Sequence, residues 1–106
     1  MNCDFVIKRG QLFPHVEATL ADANGEFDGT GATVQFVFRK NKDADPVVRD
    51  ADWVDEKTGQ VRYDWQQGDT DIVGTYLYEW RVILPNVGEV PFPSDRNGIF
   101  LVIEGV

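Results

Sequence analysis

Apolar and polar residues alternate along most of this chain with a period of two, the spacing that turns one set of side chains into a core and the other toward water in a β-strand. The alternation is strongest between Gly59 and Leu84. Val61, Tyr63 and Trp65 take one face there against Gln60, Arg62 and Asp64. Further on, Tyr76, Tyr78, Trp80, Val82 and Leu84 share a face, with Thr75, Glu79 and Arg81 mostly opposite. The stretch from Gln66 to Gly74 is too polar and too glycine-marked to continue either strand and reads as a corner between them. Tyr63, Trp65, Tyr76, Tyr78 and Trp80 are therefore expected in the core.

Shorter strands are predicted on both sides of this pair. Phe5 and Ile7 alternate with Asp4 and Lys8, and Val16, Ala18 and Leu20 with Glu17 and Thr19, before a turn whose Asn24-Gly25 supplies positive φ angles. Val34, Phe36 and Phe38 point inward against Gln35 and Arg39. Pro46 to Val54 reads as one or two edge strands interrupted by Asp50-Ala51-Asp52, and Pro91 and Pro93 bar their segment from a sheet interior. The last strand, from Ile99 to Ile103, is apolar at every position. With Ile99, Leu101 and Ile103 taken as its inner set, Phe100 and Val102 join Leu77 and Ile83 as outward apolar residues. Such a patch calls for a cover, either a partner surface or the chain's own Pro91 to Pro93 segment.

Strands at turn-marked spacing without helical periodicity predict an all-β sandwich of seven or eight antiparallel strands, with an open barrel as the second choice. The corner before the second strong strand resembles the tyrosine corner of immunoglobulin-like (Ig-like) sandwiches, with Asp71, Gly74 and Tyr76 as its parts. Tyr78 stands where an antibody domain has its second disulfide cysteine. The chain has one cysteine in all, Cys3, so no disulfide forms within it. At 106 residues the chain is a single domain, long enough to bury roughly 60 to 70 % of its unfolded surface.

Charge and side-chain inventory then exclude several functions. A net charge of −8 with scattered Lys and Arg is the reverse of a nucleic-acid surface. No run approaches the roughly 20 apolar residues of a membrane span, and Met1-Asn2-Cys3-Asp4 has no signal-peptide character, so a soluble protein made in a cytoplasm is expected. The only serine, Ser94, and the only histidine, His15, stand in loop contexts with no nucleophile signature. One Cys and one His cannot make a structural zinc site. Asp69 with Asp71, or Asp50 with Asp52 and Asp55, lack the glycine and distal glutamate of an EF-hand and are read as turn caps. No enzyme activity, metal or cofactor is expected. Of the three tryptophans, Trp53 stands in the weak edge segment and is the candidate for an exposed interface or a sugar-stacking platform.

Several stretches, in order over nearly the whole chain, resemble the N-terminal Ig-like domain of the phage baseplate upper protein family. They are Phe5 to Gly10, Leu20 to Gly25, Gly31 to Val37, Thr58 to Trp65, Gly68 to Asp71, Gly74 to Glu79 and Phe92 to Asp95. The resemblance implies a non-enzymatic bacteriophage virion protein, made in the host cytoplasm and docked in multiple copies or as a homo-oligomer onto other phage structural proteins. The family's longer members continue into coiled-coil and receptor-facing regions. A module that stops after its last strand would equally decorate a capsid or sit at the head-to-tail junction, and a carbohydrate- or receptor-binding module is the further alternative.

Overall fold

The computed structural model describes residues 4–13, 15–22, 25–41, 43–92 and 98–104. Among them the chain forms strands and no helix. In order these are β1 (Phe5–Lys8), β2 (Val16–Thr19), β3 (Ala21–Asp22), β4 (Gly25–Glu26), β5 (Thr33–Arg39), β6 (Val47–Asp50), β7 (Asp52–Asp55), β8 (Gln60–Tyr63), β9 (Gly74–Leu84), β10 (Gly88–Phe92) and β11 (Gly98–Ile103). The larger sheet runs β1-β11-β9-β5-β6 and the smaller β2-β8-β7, while β3 and β4 make a separate short ladder. β9 is the hub of the larger sheet. Thr33 to Arg39 of β5 pair along one edge of it, on Leu77 to Ile83, and β11 and β10 follow one another along the other, on Gly74 to Tyr78 and Trp80 to Leu84 respectively.

The core lies between the two sheets and is largely aromatic. Phe36 is fully buried; it stacks on Tyr63 at 4.9 Å between ring centroids and meets the Trp65 ring at right angles. Val61 and Tyr63 on one sheet, with Trp65 just beyond its strand, and Tyr76, Trp80 and Val82 on the other, all face this core as their alternation predicts. Burial of this many large rings is the main favourable contribution to the fold.

Three expectations change in the structure. First, the sheets are not uniformly antiparallel: β1 runs parallel to β11, with Phe5 opposite Phe100 and Lys8 opposite Ile103. Parallel neighbours need a long crossover, which nearly all of the intervening chain supplies. Second, the last strand has the opposite phase. Phe100 and Val102 are buried in the core, and Ile99, Leu101 and Ile103 face outward. Antiparallel pairing puts Phe100 directly opposite Tyr76, and opposed residues share a face, so the two rings stack at 5.0 Å with Phe5 stacked on the other side of Phe100 at 4.9 Å. With every position from Ile99 to Ile103 apolar, no polar residue marked the phase. Third, Pro91 and Phe92 do not fold over the outer face. They belong to β10, paired with Arg81 and Trp80 of β9, and Pro93 lies outside the described residues.

The predicted edge segment divides between the sheets. β6 closes the larger sheet and β7 the smaller, and the chain crosses at Ala51, whose N–H donates to the Val34 carbonyl at 3.0 Å. Gly59, in the turn before β8, has φ 77° and allows a close crossing: an added Cβ would lie 2.6 Å from the Leu20 carbonyl oxygen. Ala23 and Asn24 of the predicted tight turn, together with Cys3 and Ser94, fall outside the described residues, although β3 and β4 pair across that turn.

Candidate functional site

The corner between β8 and β9 is the most densely bonded part of the molecule. Tyr76 donates its hydroxyl hydrogen to the Ile72 carbonyl at 2.6 Å, the backward bond of a tyrosine corner. The acid that matters there is Asp69 rather than exposed Asp71. The Asp69 side chain is 1 % exposed. Its Oδ1 accepts from Arg49 Nε at 3.1 Å and Nη2 at 3.0 Å, and its Oδ2 accepts from the Gln66 N–H at 2.9 Å and from the Tyr63 hydroxyl. A carboxylate with this many donors is a structural knot joining β6, β8 and the corner. Burial, and then the bond to Asp69, push the Tyr63 phenol well above its ordinary pKa, and the same carboxylate raises that of Arg49. Thr70 extends the knot to the chain's first loop: its carbonyl accepts from the Gly10 N–H and its hydroxyl donates to the Gln11 carbonyl, each at 3.0 Å.

The sequence contained a signal for this arrangement. Val47 and Arg49 have the same phase on β6, so the strand that turns Val47 toward the core also turns a guanidinium inward. An inward arginine demands an acid partner, and Asp69 meets it.

The outer face of the larger sheet is the second candidate. Its apolar part is centred on β11, where Ile99 and Leu101 are half-buried and Ile103 is exposed. Leu77 lies opposite Ile99 on β9, and Val6, 44 % exposed, lies opposite Leu101 on β1. Ile83 stands apart from this patch, between Thr33 and Glu89. The patch is bounded by charge. Arg81 reaches Glu79 at 3.2 Å and Glu89 at 3.3 Å on one side, and Arg9 reaches Glu104 at 3.0 Å near the far end. Of the expected outward set, Leu77 and Ile83 keep the outward phase while Phe100 and Val102 lie in the core, and the patch around Leu77 is made by Ile99, Leu101, Ile103 and Val6.

The remaining candidate residues are held by the chain itself. Trp53 is half-buried; its Nε1–H donates to the Ala32 carbonyl at 2.9 Å and its ring covers Gly29 so closely that a Cβ there would strike it. It is a clasp on the loop before β5, not an open platform. Tyr78, at the margin of the core, donates its hydroxyl hydrogen to Asp4 at 2.9 Å. His15 Nε2 lies 2.6 Å from Glu17. The described residues contain no cluster of His, Cys, Asp and Glu suited to a metal ion, and no helix long and apolar enough to cross a membrane. Against this geometry, no protein-family model, curated protein or solved structure matches the chain.

Proposed function

We propose that the chain is a non-enzymatic Ig-like docking module, seated in multiple copies on a larger assembly through the outer face of its larger sheet. One observation carries this reading. β11 has the composition of a strand buried on both faces, yet only Phe100 and Val102 meet the core, while Ile99, Leu101 and Ile103 line an outer face that water would otherwise cover. Apolar residues at the centre with charged pairs at the margin are the layout of a protein interface. The resemblance to the phage baseplate upper proteins supports a bacteriophage virion as that assembly, in its baseplate or tail.

Washed virions should contain the protein in many copies. Leu101→Asp should leave it folded, because that side chain lies outside the core, and should exclude it from particles, because an unpaired carboxylate buried in an interface is penalised heavily. Absence of the wild-type protein from washed particles, or normal incorporation of a folded Leu101→Asp variant, would overturn the proposal.

A further inference from the structure

At the tyrosine-corner end of the sandwich a cavity of about 240 Å³ opens between the β5–β6 connection and the segment leading into β9. Phe38, Val47 and Tyr76 give it an apolar wall, and Ile72, 60 % exposed, stands beside them. Its charged lining runs against the sign of the whole molecule. Arg39, Lys40 and Arg49 face Asp45 and Asp69, three positive charges against two negative, in a chain of net charge −8.

The acids leave Arg39 and Lys40 available. Asp69 is committed to Arg49, Tyr63 and the Gln66 amide, and Arg49 in turn to Asp69. Arg39 and Lys40 form no ion pair among the described residues. Lys40 is nevertheless positioned: its stem crosses Gly74, where an added Cβ would lie 3.0 Å from Lys40 Cε. Donors of this kind beside an apolar wall are matched by an anion with an apolar body.

We propose that this cavity receives a carboxylate borne on a short apolar group, either a peptide's terminal carboxylate or an acidic side chain with an apolar neighbour. The volume sets the scale. Small-molecule sites usually enclose roughly 300 to 1,000 Å³, so this one suits a single residue of a partner rather than a cofactor. A planar carboxylate suits the Arg39 guanidinium and the Lys40 ammonium that line it. The site meets the outer sheet face at Arg39, which lies opposite Leu77; Leu101→Asp on that face should leave binding here unchanged, so the two proposals are tested separately.

Amide spectra of the full chain titrated with N-acetyl-leucine, N-acetyl-leucinamide and an end-blocked Leu-Glu-Leu peptide test it. N-acetyl-leucine or the blocked peptide should shift the amides of Lys40, Gly68, Asp69 and Ile72 saturably, and which of them binds more tightly identifies the terminal or the side-chain carboxylate as the ligand. N-acetyl-leucinamide should not shift them. Lys40→Gln and Arg39→Gln, whose spectra report their own folding, should each weaken binding by about tenfold, as losing one hydrogen bond to a charged group does. Added salt should weaken binding in the wild type. Equal binding of the amide, indifference to both substitutions and to salt, or shifts confined to another part of the molecule would overturn the assignment.

Discussion

Asp69 holds β6, β8 and the corner together through one carboxylate, and its loss would be felt at all three. Asp69→Asn should destabilise the domain by about 2 to 4 kcal/mol in urea unfolding, somewhat less than for a fully buried ion pair because Arg49 reaches solvent; a loss well under about 1 kcal/mol would show the knot to be ornamental. Tyr76→Phe removes only the bond to the Ile72 carbonyl and should cost about 1 to 2 kcal/mol with the ring still packed. Trp80→Ala, 3 % exposed and against Phe36, should cost about 3 to 5 kcal/mol, far more than Trp53→Ala, and equal thermal midpoints for wild type and Trp80→Ala would contradict its place in the core. Tyr63 adds a dependence on pH. Its folded-state pKa lies above the ordinary value of 10.0, so the unfolded chain loses this proton first as the pH rises. Below that pH the group leaves stability unchanged, and above it stability falls. Tyr63→Phe should therefore decline less steeply than wild type in alkaline solution, and parallel declines would exclude this phenol as the source.

At the level of elements, legibility followed polarity contrast. β5, β8 and β9 alternate apolar with polar or charged residues, and their inward faces could be read directly because each strand carried its own reference. β11 has no such contrast, so its phase waited on the pairing of Phe100 with Tyr76. Asp69 was hidden for a different reason: its partners Arg49 and Tyr63 are 20 and 6 residues away, and no local pattern joins them. Tyr76 was legible because the corner bond spans only 4 residues. The corrected phase gives a sharp expectation. Phe100→Asp should unfold the isolated domain by burying a charge among aromatic rings, whereas Ile99→Asp should leave a native circular dichroism spectrum. The reverse result would restore the phase expected from the sequence.

On the scale of the whole molecule, the sandwich is elongated, 43 Å along its longest axis and 26 by 23 Å across. One edge of its larger sheet is the parallel pair β1 and β11, which joins residues nearly a full chain apart. Parallel neighbours point the same way, so a pull applied at residues 4 and 104 drags β1 and β11 past each other lengthwise. All their hydrogen bonds then carry the load together. Pulled instead at residues 9 and 104, which lie at the same end of the pair, the bonds open one after another. Single-molecule extension should show a distinctly higher rupture force in the first geometry than in the second, and equal forces would mean that another part of the fold yields first. A domain whose two ends are clasped side by side in this way can transmit tension along a filament without opening, which makes the β1–β11 edge a mechanical clamp as well as a boundary of the sheet.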